Sequence, residues 1–158
     1  MEPYPFETKE WPLRYKAIAK NIPIHATILD LGGGKGLLKS YLRSPKEYIV
    51  VDKYPLNSSL IVLDFDKDAL PDFNKVFDIV VCSGIIEYLQ KPEDFLSNIK
   101  KYGDRLLVSY YHKGKKLEIW ENCYDKATFE KMLSNAGWKI ITREEFQVNH
   151  ILYSCTKI

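Results

Sequence analysis

The sequence predicts an α/β fold: a three-layer, doubly wound, mostly parallel sheet that ends in a C-terminal antiparallel hairpin. Three observations lead there. Short apolar runs suited to strands alternate with segments of helical period along the chain. The first five strand segments are near-continuously apolar, the pattern of a sheet covered on both faces. The last two are separated by about six residues, too few for a parallel crossover, so they must pair antiparallel. A length of 158 residues suits one domain, 1–158, with residues 1–26 as an N-terminal helix and lid segment.

Each element has a local reason. Pro12 suits a first helical turn, Tyr15, Ile18 and Ile22 recur at helical spacing, and Pro23 ends the pattern. Ile28 to Leu31 is a buried strand that breaks into Gly32-Gly33-Gly34-Lys35-Gly36, followed by an expected helix from Leu37 to about Arg43. Tyr48 to Val51 is a second strand ending at Asp52, and Leu60 to Leu63 a third ending at Asp64. Between them, residues 53–59 carry Pro55, Asn57, Ser58 and Ser59, which is turn chemistry where a parallel crossover usually places a helix. Either that helix is missing or the strand boundaries there shift by a few residues.

Phe77 to Cys82 is a fourth strand, Pro92-Glu93-Asp94 opens a helix carrying Phe95, Leu96 and Ile99, and Arg105 to Tyr111 is a fifth strand. Asp125 caps a helix whose Phe129, Met132, Leu133 and Ala136 share one face, with Gly137 as its stop. Trp138 to about Arg143 and His150 to Thr156 form the closing hairpin.

Composition narrows the function. Lys plus Arg at 23 against Asp plus Glu at 21 leaves a formal charge of +2, too small for a surface that coats nucleic acid or adsorbs to membranes. Cys82, Cys123 and Cys155 lie far apart with no CxxC pair, which argues against structural zinc and a disulfide framework and for a reducing cytoplasm. The stretch from Met1 to Trp11 is acidic and aromatic, unlike a secretory leader, and no apolar run reaches membrane-spanning length.

In an open parallel sheet, ligands bind outside the carboxyl ends of the strands. Asp30, Asp52 and Asp64 and the glycine cluster all fall at such ends. Gly32, Gly34 and Gly36 let backbone approach a ligand closely, and the turn into the next helix aims N–H groups at it. The spacing excludes two common cradles. The dinucleotide fingerprint wants a third glycine five residues after the first, where Leu37 stands, and a P-loop wants Ser or Thr after Gly-Lys, where Gly36 stands.

What remains, Asp30-Leu31-Gly32-Gly33-Gly34-Lys35-Gly36, resembles the first motif of the class I, seven-stranded S-adenosylmethionine-dependent methyltransferases, with Gly33 where many members have cysteine. Val50-Val51-Asp52 resembles their second motif and Asp64-Phe65-Asp66 with Leu70-Pro71 their third. Phe77 to Ser83 followed by Glu87-Tyr88 resembles their fourth. The resemblance runs from about Ile28 to the C-terminus. It implies transfer of a methyl group from S-adenosyl-L-methionine to a small-molecule acceptor (a metabolite, a sugar or a lipid-linked intermediate), leaving S-adenosyl-L-homocysteine.

By the same resemblance, Asp30 holds the methionine end, Asp52 accepts from the ribose hydroxyls, Asp64 and the Phe65 N–H face adenine, with Asp66 as substitute for Asp64, and Ser83 and Gly84 lie along the methionine portion. Glu87, Tyr110, Tyr111 and His112 are the candidates for a base, with His112 the choice; the tyrosines could instead stabilise the sulfonium. Trp120 and Tyr124 stand where the family lines its acceptor pocket. Tyr4, Phe6, Trp11 and Tyr15 form either a lid or ordinary packing of the first helix. Lys113-Gly114-Lys115-Lys116 is either an anion site or a solvated loop.

The missing crossover helix and the lack of a cap segment leave few residues to enclose an acceptor. That favours a small pocket, or one completed by a homodimer or protein partner. The competing reading is a non-catalytic scaffold or regulatory subunit on the same fold.

Overall fold

The computed structural model describes residues 11–112 and 118–158. Tyr4, Phe6 and the 113–116 lysine run lie outside the described residues. Helix α1 spans Trp11–Ala19, α2 Pro92–Asn98 and α3 Lys126–Asn135. The strands are β1 Thr27–Leu31, β2 Glu47–Asp52, β3 Ile61–Val62, β4 Ile79–Ser83, β5 Arg105–Tyr111, β6 Trp138–Gln147 and β7 His150–Lys157. They form one seven-stranded sheet in the order β3-β2-β1-β4-β5-β7-β6. The five from β3 to β5 are parallel, and β7 is antiparallel to both β5 and β6. Among the described residues no helix is long and apolar enough to cross a membrane.

Both faces of the central strands are covered, as their apolar runs require, whereas β3 at the sheet edge leaves Ile61 and Val62 exposed. On one side Ile28, Ile79, Val81 and Leu107 pack against Ala17, Ile18 and Ile22 from α1 and its exit. On the other, Leu29, Val80, Val108, Tyr110 and Tyr153 pack against Phe95 and Leu96 of α2 and Phe129, Met132 and Leu133 of α3. Trp138 is fully buried, and its indole N–H donates to the Leu96 carbonyl at 2.8 Å, tying the hairpin to α2. Asp125 caps α3 as its sequence predicts, accepting from the Thr128 N–H at 2.7 Å.

β3 is shorter than expected at Ile61–Val62, α2 ends before Ile99, and four larger boundary differences each have a local reason. The helix expected from Leu37 is a five-residue 3-10 turn, Leu37–Tyr41. Gly36 before it offers no side-chain cap, Ser40 Oγ bonds back to the Leu37 carbonyl at 2.8 Å, and Leu42 is already extended. Helix α1 stops at Ala19, after which Asn21 and Ile22 close tight turns onto Ile18 and Ala19. β4 begins at Ile79 rather than Phe77, because the Phe77 N–H goes to the Tyr102 carbonyl. β6 runs on to Gln147, through two register shifts, because only Val148 and Asn149 make the turn, with Asn149 at φ 62.

The connection between β2 and β3 has no helix. Eight residues from Lys53 to Leu60 cross in turns and bends, and β3 pairs parallel to β2 over only Val51↔Ile61 and Asp52↔Val62. The turn chemistry of that segment, rather than a boundary error, explains the short link.

Candidate active site

The parallel order brings the ends of β3, β2, β1 and β4 side by side, so Asp64, Asp52, Asp30 and Ser83 stand along one edge of the sheet. The chain leaves β1 toward β2 on one side, while β4 lies on the other, which makes the β1/β4 crevice the switch point.

The glycine turn is built on backbone positions that side chains rarely adopt. Gly32, with φ 77, sits so close to β4 that a Cβ there would lie 2.7 Å from the Ile85 Cβ. A Cβ on Gly33 would lie 2.5 Å from the Asp30 carboxylate, so any side chain there must displace that carboxylate. Gly34 and Gly36 complete the turn at φ 56 and 76.

Asp30 is buried, and its Oδ2 accepts from the Tyr48 hydroxyl at 2.5 Å while Oδ1 has no partner among the described residues. Burial pushes its carboxyl up to about 7; the Tyr48 hydrogen bond opposes this, the nearby Asp52 adds to it, and Arg14 counters it. The Tyr48 hydroxyl is pushed far up by burial and by the Asp30 charge.

Because folded Asp30 keeps its proton to about pH 7 while the unfolded chain loses it near 3.8, its contribution to stability is complete below about pH 4. That contribution fades as pH rises toward 7, on the order of 4 kcal/mol in all. Asp30→Asn should therefore flatten the fall in urea midpoint between pH 4.5 and 7.5. An unchanged profile would show that Asp30 titrates normally.

Asp52 is 1% exposed. Its Oδ2 accepts from the Gly34 N–H at 2.9 Å and its Oδ1 from the Tyr54 N–H at 3.1 Å. It thus clamps the glycine turn to the start of the β2–β3 segment. Leu56 of that segment reaches toward Gly34, and the Asn57 amide donates to the Lys35 carbonyl at 3.1 Å. Asp64 lies at the next strand end. Burial alone would raise its carboxyl, but Lys53 at 3.2 Å, the Asp66 N–H and Lys67 at 3.7 Å outweigh it and leave it below its ordinary value. The Phe65 ring packs edge-on against Phe95 at 5.3 Å, and Asp66 accepts from the Gln90 N–H at 3.0 Å.

Ser83 ends β4, and its hydroxyl accepts from Ser109 Oγ at 3.4 Å; the same Ser109 oxygen receives the Gly84 N–H at 3.1 Å. Above Gly84 lies a residue the sequence reading missed. Arg14 of α1 reaches across so closely that a Cβ on Gly84 would sit 2.4 Å from its Nη1. Its Nε is buried without a hydrogen-bond partner among the described residues. The guanidinium lies 5.5 Å from the Trp11 ring and within electrostatic reach of Asp30 and Glu87. One signal was available: Arg14 falls between Trp11 and Ile18 on the face of α1 that is otherwise apolar.

His112 is turned elsewhere. Its ring packs against Tyr110, Phe129 and Tyr153, its Nε2 is paired with the Tyr153 hydroxyl at 2.5 Å, and burial lowers its pKa. Tyr110 is likewise committed, donating to Asn122 and receiving the Tyr124 N–H. Tyr124 itself stacks beside Tyr110 on the α3 side, whereas Trp120 lies 5.5 Å from Tyr111.

A seven-stranded sheet of this order with a carboxylate at the end of each of its first three strands defines a class I methyltransferase architecture. The sequence model described as a methyltransferase domain matches residues 6–143, and the chain belongs to that family, S-adenosylmethionine-dependent enzymes. Solved structures agree in fold. The pyocyanin biosynthetic protein PhzM is 13% identical, with a TM-score of 0.73 over 94% of this chain and 55% of its own, so this chain spans about half of that protein. An S-adenosylmethionine-dependent methyltransferase from Aquifex aeolicus is 17% identical, with a TM-score of 0.72 over 96% of this chain and 95% of its own. The 1,6-didemethyltoxoflavin-N1-methyltransferase of Burkholderia thailandensis, solved with its substrate and S-adenosylhomocysteine, is 14% identical, with a TM-score of 0.72 over 94% of this chain and 79% of its own. No curated protein matches in sequence.

The residues present fit the methyl donor. An α-amino acid offers an ammonium and a carboxylate, and the crevice offers one buried, unpartnered atom suited to each, Asp30 Oδ1 and Arg14 Nε. Next to them stands the Asp52 carboxylate, an acceptor of the kind a diol requires.

Proposed function

We propose that the whole chain works as one domain that transfers the methyl group of S-adenosylmethionine to a small-molecule acceptor. The observation that carries the reading is the pair of buried, unpartnered atoms Asp30 Oδ1 and Arg14 Nε at the β1/β4 crevice. Bound there, the donor supplies a methyl group already activated on a sulfonium. The protein's work is then alignment and exclusion of water, where effective molarities of about 10⁵ M or more show how much orientation can contribute.

In this reading Asp30 takes the ammonium and Arg14 the carboxylate, with Ser83 and Gly84 alongside. The turn through Gly32, Gly34 and Gly36 admits the ligand to backbone distance. Asp52 takes the ribose hydroxyls, and Asp64 with the Phe65 N–H faces the purine. Because Asp52 is 1% exposed, the segment 53–60 that lies over Gly34 must shift for a diol to reach it.

A small acceptor is supported by the Burkholderia enzyme, solved with 1,6-didemethyltoxoflavin bound. Incubation with methyl-labelled S-adenosylmethionine and a metabolite extract should yield a labelled product of low mass. Label found only on macromolecules would contradict the small acceptor. Tight cofactor binding with no label transferred would return the protein to the scaffold reading.

A further inference from the structure

Glu87 has no part in donor binding, yet it is held with care. It sits on the 3-10 turn Ile86–Tyr88 after β4 and is buried. Its backbone carbonyl accepts the N–H groups of Glu121 and Asn122 at 2.8 and 3.2 Å, and the Asn122 amide donates to the carbonyls of Ile86 and Leu89 at 2.8 and 2.9 Å. The turn is therefore fixed by backbone bonds on both flanks. The carboxylate is only half satisfied: Oε1 accepts the Tyr111 N–H at 3.1 Å, while Oε2 is buried with no partner among the described residues. Leaving a buried acceptor unmade is unfavourable, the more so for a charged one, and a bound donor group removes that cost.

The surroundings say what kind of donor. Tyr111, whose N–H bonds Glu87, lies 5.5 Å from Trp120 and 4.6 Å from His150, ring to ring. Tyr88, the next residue, is 36% exposed and interacts through its hydroxyl with Trp120. Flat, partly exposed rings thus border a buried carboxylate three residues from Gly84. Arg14 from α1, Tyr110 from β5 and Tyr88 of the same turn are the polar groups that face Glu87 electrostatically.

We propose that Glu87 Oε2 receives the O–H or N–H of the acceptor, and that the acceptor is a planar aromatic or heteroaromatic molecule lying against Tyr88, Tyr111 and Trp120. This rests on the donor reading above, which places the methyl group near Gly84. As the acceptor oxygen or nitrogen forms its bond to the methyl carbon, the carbon–sulfur bond breaks with its electron pair passing to sulfur. The acceptor's proton goes to Glu87 Oε2 and leaves to water with the product. Burial raises the Glu87 carboxyl, in the direction that suits a proton acceptor near neutral pH. The His112 Nε2, by contrast, is already taken up by Tyr153.

The test is calorimetric, on protein saturated with S-adenosylhomocysteine. Two probes are compared, 2-naphthol and 2-methoxynaphthalene, which share a ring system but differ in the donated hydrogen, with cyclohexanol as a hydroxyl that is not planar. Wild-type protein should bind 2-naphthol at least about tenfold more tightly than its methyl ether, and cyclohexanol more weakly than either. In Glu87→Gln, the amide oxygen keeps the Tyr111 N–H and turns its NH₂ to the acceptor, so the preference should fall to within about twofold. The affinity for S-adenosylhomocysteine should not change. Equal binding of the two naphthalenes by wild-type protein, or tighter binding of cyclohexanol, overturns the proposal without need of any variant. Failure of S-adenosylhomocysteine itself to bind is a separate result that removes the donor reading and this proposal with it.

Discussion

Asp52→Ala is expected to weaken S-adenosylhomocysteine binding by at least about tenfold and to lower stability by about 2–4 kcal/mol. Both effects have one source. The carboxylate accepts the N–H groups of Gly34 and Tyr54 while 1% exposed, so its removal orphans two half-buried donors and frees the glycine turn from the segment after β2. Hydrogen bonds to a charged group contribute roughly 1.5–3 kcal/mol each. Asp52→Asn retains one acceptor oxygen and should fall between the two. Calorimetry with S-adenosylhomocysteine and urea unfolding read the two losses separately. A destabilised variant with unchanged affinity would make Asp52 a structural clamp only.

Gly32→Ala is expected to lower the melting temperature by roughly 5–12 °C. Alanine at φ 77 costs about 1–2 kcal/mol before any contact is considered. Its methyl would then stand 2.7 Å from the Ile85 Cβ, an atom of a buried residue held in the turn after β4 rather than the tip of a flexible chain. Relief requires β1 and β4 to part at the crevice where the donor is read, so binding should fall together with stability. A melting temperature within about 2 °C of wild type would mean that the turn has slack the structure does not show.

The fold was legible because its determinants are local. Apolar runs stopping at Asp52 and Asp64, the Asp125 cap and a link before His150 too short for a crossover each specify a feature without reference to distant residues. Residues 53–59 were half legible: their turn residues left a missing helix and shifted strand boundaries both open, and the structure has the missing helix. The glycine turn was legible too, although the closeness of Gly33 to the Asp30 carboxylate, 2.5 Å from its would-be Cβ, exists only in three dimensions.

What the sequence hid is long-range. Tyr48 reads as one more strand residue until the parallel register places it over Asp30, and Arg14 reads as a surface charge until α1 is laid across Gly84. His112 follows the last residue of β5, where alternation no longer tells which way a side chain turns; its ring faces Phe129 and Tyr153, while Tyr111 remains near Trp120. The helix expected from Leu37 failed on capping, which propensity alone does not report.

The most direct measurement is a crystal structure of the protein soaked with S-adenosylhomocysteine. It should show the amino-acid end between Asp30 and Arg14, the ribose hydroxyls on Asp52 and the purine beside Asp64 and Phe65, with residues 53–60 displaced from Gly34. Ligand bound in any other hollow, or Asp30 Oδ1 and Arg14 Nε still unpartnered in the complex, would contradict it.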